Sequence, residues 1–153
     1  MFILTTKITK RKVIIIALAS LVLMTALIVP SFVSTQHASA DAEVKLTSNT
    51  ERVNYLKGFG WDVVETPAEI LEVMIPSEFS DTYIKYNEIQ VSQGFDLVQY
   101  QGKRAKRYAY KITNYPTGEE GVIAHIFIYK NRVIAGDVLS PSADGFIHGL
   151  NMP

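Results

Sequence analysis

The fold is decided by residues 102–140, which read GKRAKRYAYKITNYPTGEEGVIAHIFIYKNRVIAGDVLS. Apolar and β-branched runs alternate there with two turn-like clusters, a pattern typical of three consecutive strands. In residues 107–113 the alternation has period two, which predicts a half-buried strand. Residues 122–129 are apolar on both faces except for one histidine, as expected of a central strand. Residues 130–132 are short and polar enough for a tight hairpin, which returns residues 133–139 antiparallel.

Two helices are predicted before this meander. Ser48 and Glu51 fit a capping box that opens a helix over residues 49–57. A second helix is predicted over residues 78–92, because aromatic and apolar residues recur there at three- and four-residue spacings. Gly94 is expected to end this helix. Its aromatic side is expected to pack across the sheet.

Two short strands are predicted between and around these helices. Residues 60–65 contain the chain's single tryptophan and predict one strand, and residues 70–75, which prolines flank, predict another. Apolar residues of the tail, Phe146, Ile147 and Leu150, are expected against the sheet edge. We therefore predict an α+β domain, in which two helices pack on a mostly antiparallel sheet of four or five strands that ends in the three-stranded meander.

The first 40 residues predict an export signal. A basic segment precedes the uncharged apolar run 13–29, and Ala38-Ser39-Ala40 has the small-x-small pattern of a signal-peptidase site. We expect cleavage before Asp41, which makes residues 1–40 a signal peptide. The alternative is an uncleaved N-terminal membrane anchor, since the run approaches the roughly 17–25 residues that can span a bilayer.

The rest of the chain is expected to lie outside the cytoplasm, either secreted or held at the outer face of the plasma membrane. Residues 41–48 are predicted to be a linker and residues 49–153 a single domain. The first 40 residues hold four of the 15 basic residues and no acidic one, so the remainder carries 11 basic against 15 acidic residues, a net charge of −4. This balance does not favour nucleic-acid binding. Cysteine is absent, which excludes disulfides, a thiolate nucleophile, cysteine zinc sites and a lipobox anchor.

Several short motifs follow one another along the chain. They are Gly58-Phe-Gly-Trp61, Ile75-Pro76 before the second helix, Gln93-Gly-Phe-Asp-Leu97, Arg107-Tyr-Ala-Tyr110, Asn114-Tyr-Pro116, and Ala135-Gly-Asp137 leading to Asp144-Gly-Phe-Ile-His-Gly-Leu150. Together they resemble the DUF4830 family. The resemblance covers about residues 50–150 and implies a small exported Firmicutes protein, of a family whose function is not established. It implies no activity, ligand or catalytic residue.

Four residues are candidates for catalysis or metal binding. His125 and Asp137 are a candidate acid–base pair or a pair of metal ligands. If residues 130–131 form a two-residue loop, the pair is split across the sheet, because partners then sum to 261 and adjacent residues point to opposite faces. We therefore expect His125 to be a hydrogen-bonded core histidine. Asp144 and His148 lie close in the tail, but two ligands fall short of the three that a catalytic zinc needs.

A basic cluster with neighbouring tyrosines is the main candidate for binding. Four positive charges in five residues could attract an anionic wall polymer or lipid head groups, or could protect a strand edge from aggregation. Packing of helix on sheet is expected to account for most of the tyrosines, and the alternative is an amphipathic binding surface, an aromatic groove between the second helix and the meander. The candidate binding residues are Lys103, Arg104, Lys106, Arg107, Tyr86, Tyr108, Tyr110 and His148.

No motif of nucleotide, dinucleotide, zinc-protease or serine-hydrolase chemistry is present, so we predict no cofactor. The leading hypothesis is a non-catalytic binding module of the envelope or the exterior. Its partner is expected to be an envelope protein or an anionic wall or lipid component, with membrane contact only through an uncleaved N-terminus. One alternative is a small hydrolase or metal-dependent enzyme that uses His125, Asp137, Asp144 and His148. Another is an anchored structural component.

Overall fold

The computed structural model describes residues 44–153, and the predicted signal peptide lies outside them. The described elements are α1 (Asn49–Gly58), β1 (Glu69–Met74), α2 (Asp81–Val91), a 3-10 helix (Leu97–Tyr100), β2 (Arg104–Lys111), β3 (Ile123–Tyr129), β4 (Arg132–Leu139) and β5 (Ile147–His148). The five strands form one antiparallel sheet in the order β1-β2-β3-β4-β5. The predicted α+β fold with its C-terminal meander is confirmed. In this part of the chain, no helix is long and apolar enough to cross a membrane.

The hairpin between β3 and β4 has the two-residue loop that its sequence allows. Lys130 and Asn131 both have positive φ, 49° and 67°, which is the backbone of a type I′ turn. This turn matches the right-handed twist of the flanking strands. Tyr129 and Arg132 therefore pair directly across the loop.

The central strands of the sheet, β3 and β4, are covered on both faces, whereas the edge strand β1 is largely exposed. We call the face that packs against α1 the α1 face and the opposite one the α2 face. The largest buried residues on and around the α1 face are Leu56, Trp61, Tyr110, Ile126 and Leu150. Those on the α2 face include Ile75, Leu97, Phe127 and Ile134, with Phe79, Tyr83 and Tyr86 packed against them. The apolar character of β3 on both sides follows from this double burial.

Helix α1 begins as the capping box predicts. Glu51 N donates to Ser48 Oγ at 3.2 Å, and Ser48 N donates to Glu51 Oε2 at 3.0 Å. Two amide groups that the helix itself leaves without acceptors are thus satisfied. Beyond the helix, Trp61 is fully buried and its Nε1 donates to Leu150 O at 2.6 Å, which fixes the C-terminal segment to the core.

Helix α2 begins three residues later than predicted, because Ser80 rather than Ser77 is the N-cap. Its buried residues are polar. Gln90 Oε1 accepts from Gly136 N at 3.0 Å, and Gln93 Nε2 donates to Gly136 O at 3.0 Å. These two side chains therefore satisfy backbone groups of β4 that no neighbouring strand reaches.

Two predicted segments differ in the structure. Residues 60–65 do not form a strand, and their only ladder contact is the bridge between Val63 and Ile112. The Asn114 side chain instead bonds the backbone of this segment: its Oδ1 accepts from Asp62 N, and its Nδ2 donates to Gly60 O.

The end of the predicted linker also joins the folded unit. Lys45 forms an antiparallel bridge with Arg132, and Leu46 is buried. Leu46 N donates to Asn131 O at 2.8 Å, and Val133 N donates to Val44 O at 3.0 Å. Residues 44–46 thus cover the start of β4, which leaves less of that strand's edge open.

Replacing Gly136 with alanine is expected to lower the free energy of unfolding by about 1–3 kcal/mol, a usual cost of overpacking. A Cβ at Gly136 would lie 2.5 Å from Leu150 Cδ1 and 2.8 Å from Leu150 Cγ, and Leu150 is fully buried. Gly58→Ala is the matched control, because its Cβ would meet no atom within 4 Å and alanine is favoured in a helix. Urea unfolding measures the stability of both variants, and equal stability would contradict the close packing of Leu150 against Gly136.

Candidate functional site

The predicted basic cluster lies on and just before β2, which is an interior strand. Since β2 pairs with β1 on one side and β3 on the other, the interpretation that its charges protect an exposed edge is wrong. Successive side chains of a strand point to opposite faces, so the cluster is divided. Arg104 and Lys106 lie on the α1 face with Tyr108, whereas Arg107 lies on the α2 face. Lys103 precedes the strand and is exposed.

The two arginines of the cluster are paired with carboxylates of β1. Arg104 Nη1 lies 2.8 Å from Glu72 Oε1, and Arg107 Nη2 lies 2.6 Å from Glu69 Oε2. All four side chains reach the surface, where such pairs contribute only about 0–1 kcal/mol. The side chain of Lys106 makes no ion pair or hydrogen bond to any residue that the structure describes. Its charge is therefore available to a ligand.

A cleft of about 380 Å³ opens beside these residues on the α1 face. We call it the basic cleft. Its volume lies within the roughly 300–1,000 Å³ of small-molecule sites. The charged residues that line it are Arg52, Arg104, Lys106, Lys130 and Glu72. Four cations against one carboxylate give the lining a net charge of +3, in a chain whose residues after position 40 are net negative.

Arg52 enters this cleft from helix α1 and is held by two tyrosines of β2. Its Nε donates to Tyr110 Oη at 2.9 Å, and its guanidinium carbon lies 3.9 Å from the centre of the Tyr108 ring. Tyr110 Oη in turn donates to Asn49 Oδ1 at 2.9 Å. Of the predicted binding residues, Tyr108 thus lines the cleft and contacts Arg52, whereas Tyr110 is fully buried and holds Arg52 from beneath through its hydroxyl.

Sequence reasoning did not identify Arg52 or Lys130 as site residues. Arg52 follows a capping box and resembles an ordinary solvent-facing helix residue, and 58 positions separate it from Tyr110. Lys130 was predicted only as part of the hairpin loop. The sequence spacing does not indicate that Arg52 or Lys130 belongs to a site, because both residues reach the cleft only through tertiary packing.

The predicted separation of His125 from Asp137 is wrong. The loop has two residues as assumed, and Ile128 pairs with Val133, but Phe127 pairs with Ala135. One extra residue in β4 shifts the register, so that His125 directly opposes Asp137. His125 Nδ1 lies 2.9 Å from Asp137 Oδ1, and both residues are buried. His125 is therefore a hydrogen-bonded core histidine, as expected, but with Asp137 as its partner.

Tyr86 completes this network on the α2 face. Its hydroxyl donates to Asp137 Oδ2 at 2.7 Å. Between α2 and the meander, where an aromatic groove was the alternative to packing, the rings are packed, with centroids 5.6 Å apart for Tyr83 and Tyr86 and 6.4 Å apart for Tyr86 and Phe127. The basic cleft lies on the opposite face of the sheet.

His148 also lies on the α1 face, since it pairs with Val138 of the α1-face cluster. Its Nδ1 lies 2.6 Å from Gly149 O, so this nitrogen carries the proton, and its Nε2 accepts from Tyr115 Oη at 3.2 Å. Asp144 is exposed.

The structure thus does not bring the four candidate catalytic side chains together. His125 and Asp137 lie on one face of the sheet and His148 on the other. Among the described residues, no group of three or more histidine, aspartate or glutamate side chains is placed to hold a metal ion.

Comparison with known proteins gives a family but no described relative. The profile of the family described as "Domain of unknown function (DUF4830)" matches residues 55–138. The match spans more than half of the 153 residues, so the chain belongs to this family and the resemblance is confirmed. No curated protein and no solved structure matches the chain.

Replacing Tyr86 with phenylalanine is expected to lower the free energy of unfolding by about 1–3 kcal/mol, because Asp137 Oδ2 would stay buried without its donor. Tyr83→Phe is the control. The Tyr83 hydroxyl has no hydrogen-bond partner among the described residues, so a loss of about 0.5 kcal/mol or less is expected. Urea unfolding near neutral pH measures both, and equal losses would contradict the role of the hydrogen bond.

The same variant is expected to change the alkaline stability. Burial raises the pKa of Tyr86, and the charge of Asp137 raises it further. The unfolded chain therefore releases this proton near the ordinary tyrosine pKa of about 10, before the folded chain does. Stability is lost as the pH rises above that value, and Tyr86→Phe should lose less than the native chain between about pH 8 and about pH 11. An identical pH dependence of the two proteins would exclude this contribution.

Proposed function

We propose that this DUF4830 protein is an extracytoplasmic, non-catalytic binding module, which binds an anionic polymer of the cell envelope through the basic cleft. The observation that carries the proposal is the concentration of cations in that cleft, with a net charge of +3 against −4 for residues 41–153 as a whole. A concave site lined by one sign of charge attracts and concentrates ions of the opposite sign.

Export is supported by the N-terminal sequence. A basic segment, an apolar run and Ala38-Ser39-Ala40 follow one another in the order that signal peptidases recognise. Outside the cytoplasm, a domain without cysteine is stabilised by packing alone, and this is consistent with cores on both faces of the sheet.

The geometry favours binding over the enzymatic alternative. A hydrolase or metal-dependent enzyme that uses His125, Asp137, Asp144 and His148 would need these side chains to meet in one open pocket. Instead, the first two form a buried hydrogen-bonded pair, and His148 lies on the opposite face. By contrast, the side chain of Lys106 in the cleft forms no ion pair or hydrogen bond with any residue that the structure describes.

Polyphosphate is a suitable probe of the proposed function. In isothermal titration calorimetry with the full-length chain in a non-ionic detergent, we expect binding that weakens as sodium chloride is added, because salt screens exposed charges. Lys106→Gln should reduce the affinity about fivefold, which corresponds to roughly 1 kcal/mol for one charge near a polyanion.

Lys85→Gln is the matched control for this experiment. It removes the same charge from an exposed position on α2, on the other face of the sheet, so the affinity should remain unchanged. Equal losses in the two variants would show that net charge alone matters and would refute the cleft as the site. If the protein bound phosphatidylglycerol vesicles but not polyphosphate, the proposed polymer ligand would be refuted in favour of a lipid surface.

The N-terminus of the protein recovered from producing cells tests export. We expect mass spectrometry of the material outside the cytoplasm to show a chain that begins at Asp41. A chain that keeps residues 1–40 and sediments with membranes would favour an anchored component instead. A chain found intact in the cytoplasmic fraction would contradict export in either form.

A further inference from the structure

We infer that Arg52 is the specificity-determining residue of the basic cleft, and that its two terminal nitrogens bind a phosphate group of the ligand. The inference rests on the proposed function, since it concerns the same cleft. It adds the chemical group that the cleft selects and the residue that selects it.

Arg52 is a largely buried residue whose charge forms no ion pair with any residue that the structure describes. The residue as a whole is only 8% exposed, but its terminal nitrogens are not among the fully buried atoms that lack a partner, so they reach the solvent in the cleft. Within the described part of the chain, the only hydrogen bond of its side chain runs from Nε to Tyr110 Oη. Its terminal nitrogens, Nη1 and Nη2, have no acceptor there.

The nearby carboxylates are already engaged elsewhere. Glu51, the adjacent residue, accepts from Thr47 N at 2.5 Å and from Ser48 N at 3.0 Å. Glu72, the acidic residue that lines the cleft in the described part of the chain, pairs with Arg104 at 2.8 Å. Neither carboxylate forms an ion pair with Arg52.

The tyrosines hold the guanidinium without neutralising it. Burial raises the pKa of Tyr110, an effect that Arg52 opposes, so the phenol stays neutral at physiological pH. The guanidinium carbon lies 3.9 Å from the centre of the Tyr108 ring. With Nε bonded to Tyr110 Oη, the two terminal nitrogens remain as a pair of donors, which in arginine can bind two oxygens of one anion.

The charges of the cleft favour phosphate over carboxylate. After Arg104 is paired with Glu72, three cations of the lining have no carboxylate partner among residues 44–153: Arg52, Lys106 and Lys130. A carboxylate would supply one negative charge and a phosphate monoester up to two, with three oxygens to accept hydrogen bonds. Arginine is well suited to such groups because its planar fork matches their oxygens.

Inorganic phosphate is the probe for this inference. The full-length chain in a non-ionic detergent is titrated at constant ionic strength by NMR or calorimetry, with acetate as the carboxylate comparison. Arg52→Lys keeps the charge but removes the fork, and it should weaken phosphate binding at least about tenfold, as expected for one lost charge-assisted hydrogen bond. Lys85→Gln should leave the affinity unchanged.

A second variant keeps the test valid if Arg52→Lys unfolds. Tyr110→Phe retains the fork and its charge but removes the acceptor that positions Nε, so it should weaken phosphate binding by a smaller factor. The melting temperature of each variant, measured with and without phosphate, checks folding. Phosphate should raise the melting temperature of the native chain more than that of Arg52→Lys, since a ligand stabilises the state that binds it.

The outcomes separate this inference from the proposed function. Unchanged phosphate affinity in a folded Arg52→Lys chain, or acetate binding as tight as phosphate binding, would overturn the inference. The proposed function would still stand if Lys106→Gln weakened polyphosphate binding while Arg52→Lys and Lys85→Gln did not. If the native chain bound neither polyphosphate nor phosphate, the proposed function and this inference would both be refuted. Competition by inorganic phosphate against polyphosphate and against phosphatidylglycerol vesicles distinguishes a polymer from a lipid as the source of the group.

Discussion

The arrangement of both faces of the sheet depends on one extra residue in β4. Ile134 has no partner in β3, and the register is shifted by one from there to the end of the strand. Without this bulge, Asp137 would point into the apolar cluster of the α1 face, where its charge would be unpaired and costly. With it, Asp137 meets His125, and Gly136 provides the space into which Leu150 packs. The C-terminal segment and helix α2 are both positioned by this shift.

The sequence predicts those parts of the fold that local patterns determine. The capping box of α1 and the period-two alternation of β2 are confirmed, because each depends on residues close together in the chain. The loop length also gives the correct pairing of Tyr129 with Arg132 and of Ile128 with Val133. The predicted pairing is wrong from Phe127 onward, because the bulge depends on packing on both faces of the strand and has no reliable local signature in the sequence.

The candidate site was predictable to a similar extent. The alternation of β2 indicates that Arg104, Lys106 and Tyr108 share one face, and all three line the cleft. Arg52 was not predictable, since its burial and its contact with Tyr110 arise only when α1 packs on the sheet. Whether a polar side chain has a hydrogen-bond partner therefore depends on tertiary packing, which a single sequence does not reveal.

The two faces of the sheet differ in how completely their charges are paired. On the α2 face, Asp137 accepts from Tyr86 and is paired with His125. Two donors there, Gln90 Nε2 and Arg107 Nε, lack acceptors, but the charge of Arg107 is paired with Glu69. The polar groups of this face thus serve mainly to hold helix and sheet together.

Arg52 also joins helix and sheet, since its Nε donates to Tyr110 Oη, but its charge has no partner carboxylate among the described residues. It lies within the first turns of α1, where the helix dipole disfavours a cation by about 0.3–1 kcal/mol. A bound anion would offset both, because it would pair the charge and would itself be favoured near the helix N-terminus. The position of Arg52 is therefore consistent with the proposed anion site, in which its charge would gain a partner.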